Sequence, residues 1–283
     1  MFRTYYAIAA GIVKADGLDL AVVEVPDPPS RAQEEALIRD DVQVANLYLA
    51  NFLRVKLAGA PVVGLATEWK STAKGNGMFV RAAGPVKTPK DLTGRRIASH
   101  QKTPHALHRY LLKHRYGVDE ATLEWQSLPQ EELLGALKNG RADAVVLIDQ
   151  FFFRGEQDPD ARCLYADGEA WQALTGFPEM IKHMIAVREP LIREHPEVRN
   201  ILLTAFKQSF AYSENHLPEI AGKFMDRYGG DRDAILASAR YPKIDFTFTE
   251  TERAIAEAEM AMLVEVGELE RAIPIAPQFV VGT

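Results

Sequence analysis

The sequence predicts an α/β protein with a helical C-terminal part. Two patterns and one length argument carry that reading. Short β-branched runs alternate with longer amphipathic stretches through the first two thirds of the chain, the pattern of βα units around parallel sheets. From Glu189 onward the periodicity is mostly helical. With 283 residues, 47% of them hydrophobic and 25% charged, the chain is an ordinary globular one of about two domains.

Leu18–Val25 reads as a strand that ends at Pro26. Ser30 is placed to cap a helix over Arg31–Asp40, with Glu34 and Glu35 near its positive end. Val42–Ala45 is a second strand, followed by a helix over Leu47–Leu57 that stops near Gly59. Pro61–Thr67 is a third strand; Ser71–Gly77 reads as loop, and Met78–Arg81 resumes an extended run. A second set begins with a strand at Arg96–Ser99. Thr103-Pro104 then signals a helix start, and that helix is expected to reach Tyr116 before Gly117. Thr122–Ser127 is a strand, Gln130–Lys138 a helix stopped by Gly140, and Ala144–Ile148 a short buried strand opening onto Asp149-Gln150-Phe151-Phe152-Phe153. The C-terminal helices are expected at Leu191–Tyr212, Pro218–Tyr228, Asp231–Ala239 and Glu250–Glu268.

Composition excludes several function classes. With 33 Lys and Arg against 39 Asp and Glu, the net charge is −6, the wrong sign for a nucleic-acid binder. A single cysteine, Cys163, excludes an intrachain disulfide and a cysteine-rich metal cluster. No apolar run reaches the roughly 18 residues of a membrane-spanning helix. The run Tyr5–Gly11 is too short for a secretory leader and is followed at once by Lys14 and Asp16. Read from Met1 the chain is cytoplasmic; a signal upstream of Met1 would make it periplasmic or extracytoplasmic.

Four stretches resemble the bacterial solute-binding proteins of the nitrate, sulfonate, taurine and thiamine-pyrimidine group. Ala10-Gly11-Ile12-Val13-Lys14-Ala15-Asp16-Gly17-Leu18-Asp19-Leu20 is similar to the family's first helix running into its second strand. Lys87-Thr88-Pro89-Lys90-Asp91-Leu92-Thr93-Gly94-Arg95-Arg96-Ile97-Ala98 resembles its DLkGk segment, and Leu133–Val146 its G-x-vDA segment. Arg188-Glu189-Pro190 with Glu194-His195-Pro196-Glu197-Val198 resembles its return to the first lobe. The resemblance implies the two-lobed type II periplasmic-binding fold. Residues 1–83 and 185–283 would form lobe one and residues 84–184 lobe two, with a small ligand in the cleft between them. It also implies an ATP-driven permease as partner and no cofactor. Relatives open with a strand before the first helix, so one element of lobe one is missing or built differently here.

In open α/β sheets ligands sit beyond the carboxyl ends of strands, where helix N-termini present free N–H groups. That rule selects four loops as ligand-binding candidates. The first holds Asn46 and Tyr48, an amide and a ring, which otherwise serve as helix cap and packed aromatic. The second holds Glu68 and Trp69, with Lys70 beside them, a wall and a charge for a polar ligand. The third, Ser99–His105, holds His100, Gln101 and Thr103 at a helix start suited to an anion. The fourth holds Asp149 and Phe151; three consecutive Phe cannot all point to one face, so one of them lines the cleft. Phe177, Met180 and His183 are weaker candidates. His105 and His108 have the spacing of a metal pair but no neighbouring carboxylate, so no metal site is expected.

G-x-x-x-x-G-K-[ST], H-E-x-x-H and G-x-S-x-G are all absent. The leading expectation is therefore a solute-binding protein that closes on an anionic or aromatic ligand of sulfonate, carboxylate or pyrimidine type. The alternative is a cytoplasmic decarboxylase or dehydratase of an aromatic or cyclic acid, using His100 with Glu68 or Asp149 as acid and base.

Overall fold

The computed structural model describes residues 3–23, 32–100 and 106–280. Its first part runs α1 (Arg3–Ala9), α2 (Ala32–Ile38), β1 (Val44–Tyr48), α3 (Leu49–Leu57), β2 (Val62–Ser71) and β3 (Asn76–Arg81). Next come β4 (Arg96–Ser99), α4 (Ala106–His114), β5 (Glu124–Ser127), α5 (Gln130–Lys138), β6 (Ala144–Ile148), α6 (Gln150–Gln157), β7 (Ala161–Ala166) and α7 (Asp167–Thr175). The last part is β8 (Met180–Arg188), α8 (Glu189–Glu194), α9 (Val198–Asn215), α10 (Leu217–Tyr228), α11 (Arg232–Arg240), β9 (Lys243–Ile244) and α12 (Glu250–Glu265).

The strands form two sheets, of order β1-β8-β2-β9 and β5-β4-β6-β3-β7. The α/β class stands, but the parallel sheets expected from the alternation do not describe the first sheet, whose pairs are all antiparallel. β4 is parallel to β5 and β6, while β3 runs against β6 and β7. The cause lies in the connections. Parallel neighbours need a crossover of a dozen or more residues, which α4 and α5 supply for β4, β5 and β6. β3 follows β2 after only residues 72–75, and β8 follows α7 after only 176–179. β3 already belongs to the second sheet and β8 to the first, so the chain passes between the sheets at residues 72–75 and 176–179.

Both sheets are buried on two faces, and the alternation of their side chains shows it. In β8, Met184 and Ala186 join the core under α3 and α12, whereas Ile185 and Val187 join the core under α1 and α9 with Leu202 and Phe206. In β6, Ala144 and Val146 face Leu111 and Leu112, while Val145 and Leu147 face Leu133 and Leu137. Such strands are apolar almost throughout, the form expected of strands covered on both sides.

Several local expectations change. Residues 18–23 pair only through an isolated bridge between Ala15 and Leu18 and leave Val22 and Val23 exposed, so no strand forms there; Glu24 to Arg31, with the Ser30 cap, lie outside the described residues. β2 runs through Glu68 and Trp69 to Ser71, which converts an expected loop into strand. The expected Leu191–Tyr212 helix divides into α8 and α9 at His195-Pro196, where proline removes a donor and restricts the residue before it. α6, β7, α7 and β8 lie where no element was assigned; MIKHMIAVR has neither period clearly because both its faces are covered.

Candidate functional site

A cavity of about 180 Å³ lies between the two sheets. From the first sheet come Glu68, Trp69 and Ile244; from the second come Ile148, Asp149, Gln150 and Phe151, with Gln130 beside them. Arg3 and Thr4 of α1, Phe224 of α10, and Ile235, Ser238 and Ala239 of α11 complete the wall. Residues far apart in sequence, Glu68 and Asp149 among them, thus line one cavity where the two sheets face each other.

Glu68 is buried in β2, and the side chain of Asn46, from β1, donates to it. Burial is the main influence on this carboxyl and pushes it up to about 7, against the Thr4 hydroxyl nearby, the hydrogen bond from Asn46 and the Arg3 charge. Arg3 is itself committed elsewhere, paired with Glu214 and lying over the Phe210 ring.

Asp149 occupies the tight turn between β6 and α6 at φ 51° and ψ −128°, a strained backbone for a residue with a Cβ. Lys182 Nζ donates to its Oδ1 at 3.1 Å and the Tyr241 hydroxyl to the same oxygen at 2.9 Å. Burial alone would raise the Asp149 carboxyl, yet the Lys182 charge and these two bonds hold it below the usual carboxylate range. Burial likewise works against the Lys182 ammonium, but Asp149 outweighs it and keeps the lysine charged.

Aromatic rings surround this pair. Lys182 Nζ sits 4.8 Å from the centre of the Trp69 ring, a cation–π contact. His183 meets Trp69 edge-on at 5.0 Å and Tyr48 at 4.3 Å. Burial, with Lys182 nearby, lowers His183 to about 3, so this imidazole is neutral at physiological pH. His100, half-buried at the end of β4, is also lowered by burial, while Asp149 acts to raise it.

The structure therefore brings Glu68, Trp69, Asp149 and Phe151 to one cavity, with Asn46 bonded to Glu68 and Tyr48 against His183. Asn46 lies in the middle of β1 and Tyr48 ends it as the N-cap of α3, while Asp149 and Phe151 stand at a helix start rather than in an open loop. Gln101 and Thr103 lie outside the described residues, as does His105. Phe177 is half-buried against the core under α12, and Met180 is part of that core. Lys70, one residue from Trp69, points away from the cavity to Glu179, Asp245 and Glu252. His108 is buried against the Tyr165 hydroxyl at 3.0 Å, and among the described residues no group of three or more His, Cys, Asp or Glu is placed to hold a metal. No local feature of the sequence marks Lys182 or Tyr241. Lys182 lies within an apolar strand and Tyr241 just beyond a helix, and only tertiary structure gives them a common partner.

Three comparisons bear on this architecture. The chain is 25% identical over 248 residues to a 4,5-dihydroxyphthalate decarboxylase of Comamonas testosteroni, a match covering 74% of this chain and 72% of that protein. Its structure is similar to the periplasmic aliphatic sulphonate binding protein SsuA of Escherichia coli, with a TM-score of 0.70 at 16% identity, covering 87% of this chain and 82% of that one. It is also similar to an ABC transporter protein of Parabacteroides distasonis, with a TM-score of 0.72 at 14% identity, covering 99% and 95%. At such identities these structures speak for the fold, which is that of periplasmic binding proteins. No helix among the described residues is long and apolar enough to cross a membrane. Residues 2–220 match the NMT1/THI5-like family, and with more than half of its length in that match the chain belongs to it.

Proposed function

We propose that this protein is a solute-binding protein whose two lobes, each built on one of the sheets, close over a small organic ligand. The observation that carries the reading is the state of the ionisable groups lining the cavity. Arg3 is ion-paired with Glu214 and Asp149 with Lys182, so Glu68, bonded to the Asn46 amide but with no ion pair among the described residues, is the carboxyl for a ligand to engage. A binding site needs such a group together with apolar walls, and Trp69, Phe151 and Phe224 supply the walls. Among sulfonates, carboxylates and pyrimidines, a buried carboxyl near neutrality favours a flat ring that carries N–H donors, the pyrimidine type. The reading carries with it an ABC-type permease as partner and an extracytoplasmic location.

Isothermal titration against alkyl and aryl sulfonates, aromatic carboxylates and aminopyrimidines tests it. Saturable binding of an aminopyrimidine, weakened at least tenfold in Glu68→Gln, is the expected result. Silence across the whole panel sinks the proposal.

A second reading, a cytoplasmic enzyme on the same fold, is favoured by His100 beside the Asp149–Lys182 pair and by the decarboxylase relative. On that reading His100, neutral through burial, is the acid or base that meets an aromatic acid. Turnover of 4,5-dihydroxyphthalate that disappears in His100→Ala supports it, and binding without product removes it.

A further inference from the structure

The two sheets are joined across the cleft by groups of the chain itself. Asp149 closes a strand of the five-stranded sheet, whereas Lys182 lies in β8 of the four-stranded sheet. Tyr241 leads into β9, which pairs with β2 through Trp69↔Ile244 and Lys70↔Lys243 and so also belongs to the four-stranded side. One carboxylate oxygen, Asp149 Oδ1, thus takes both bonds from the opposite side.

The same segment touches both passages between the sheets. The Thr72 hydroxyl donates to the Tyr241 carbonyl at 2.7 Å. The Tyr241 ring lies so close over Gly75 that a Cβ there would fall 2.3 Å from a ring carbon, and Gly75 O accepts from Asp149 N at 2.8 Å. On the other passage, Glu179 takes Lys243 at 2.9 Å and Lys70 at 3.2 Å. Residues 241–245 therefore link the cleft, the 72–75 passage and the 176–179 passage.

We propose that Asp149, Lys182 and Tyr241 form a clasp whose strength sets the fraction of molecules in which the lobes are closed, and through it how firmly a ligand is retained. The inference rests on the two-lobed, cleft-binding reading and specifies how that site is regulated. Asp149 is the one carboxylate within ion-pair distance of Lys182 among the described residues, and separating the lobes removes it while the ammonium stays over the Trp69 ring. It also breaks a charge-assisted bond from Tyr241. Closure is thus favoured by side chains of the chain, and a ligand shifts the equilibrium only by its own preference for the closed form.

Single-molecule energy transfer on the full chain tests this, with dyes on E35C in α2 and E131C in α5 in a C163S background and no ligand added. Tyr241→Phe keeps the ring on Gly75 and removes one bond, so the closed-to-open ratio is expected to fall about tenfold, the effect of one hydrogen bond to a charged group. Asp149→Asn and Lys182→Met, which remove the charge pairing, lower it further. A role confined to stability would lower the melting temperature and leave the distance distribution unchanged. If all three variants, folded by circular dichroism, keep the distribution of the parent, the clasp is overturned. Should Asp149→Asn fail to fold, Tyr241→Phe decides. Because no ligand enters the measurement, failure of the titration panel leaves its outcome intact, and unchanged distances leave ligand binding intact.

Discussion

Two lysines, Lys70 buried and Lys182 mostly so, stand at opposite ends of one logic. Lys70 and Lys182 both lie in strands of the four-stranded sheet, yet Lys70 is enclosed by Glu179, Asp245 and Glu252, while Lys182 has one carboxylate, Asp149, with a tyrosine hydroxyl and an indole face. Lys70 is surrounded by an excess of opposite charge and faces no cavity. Lys182 is balanced one to one, by a residue of the other sheet that itself lines the cavity. The first arrangement holds β2, the second passage and α12 together. The second gives way when the sheets part. On the proposed reading, the cation that belongs to the cleft is the one whose counter-charge comes from the opposing sheet, not the one most heavily paired.

The comparison is broken most directly at Lys70. Lys70→Met leaves three carboxylates without their central cation, and urea unfolding is expected to show a loss of about 3–5 kcal/mol, the scale of breaking a buried ion pair. Lys182→Met leaves a single carboxylate that water can reach on opening. Its stability loss is expected to be smaller, about 1–3 kcal/mol, while its effect on ligand affinity exceeds that of Lys70→Met. Equal stability losses would erase the distinction between the two lysines.

The carboxyls of the two regions should respond oppositely to pH. Burial raises Glu252, but bonds from Lys70 and Thr249 overcome it and hold the carboxyl at about 2. Its contribution is present above the unfolded value of 4.5 and is lost as pH falls from there toward about 2. Glu68, raised by burial to about 7, keeps its proton in the folded state after the unfolded chain has released it, so stability falls as pH rises from 4.5 to about 7. Each slope has a ceiling of about 1.4 kcal/mol per pH unit. Glu252→Gln should flatten the acid limb and Glu68→Gln the neutral one, as read by denaturation midpoints across pH. The smallest effect belongs to Lys243, half-exposed on the rim of the Lys70 cluster. Lys243→Ala should cost less than 1 kcal/mol in the same unfolding assay; a larger loss would make the rim part of the buried network.

How much of this could be read from the chain depends on the range of the interaction concerned. β4, α5 and β6 stand within a residue of their expected places, because LIDQ and LKNG carry their own stop signals and strong apolar periods. The carboxyl-end rule selects Glu68, Trp69, Asp149 and Phe151, and these four line one cavity, although Glu68 and Trp69 lie within β2 and not in the loop the rule assumed. Lys182 and Tyr241 escaped it because they meet Asp149 from 33 and 92 positions away, and no local pattern encodes that meeting. The antiparallel β8 escaped for a different reason. Its direction is set by the short passage before it, whereas the alternation of elements speaks only for the commoner crossover.

Trp69 also has an optical consequence. The chain has three tryptophans; Trp171 is sealed in the core beneath α12 and Trp125 lies in β5, so Trp69 is the one that lines the cavity. An ammonium 4.8 Å from its ring centre and an imidazole edge at 5.0 Å give its indole an environment unlike that of the other two. Emission from Trp69 can therefore report occupancy and cleft motion without a dye, against a background from Trp125 and Trp171 that a Trp69→Phe chain would measure separately.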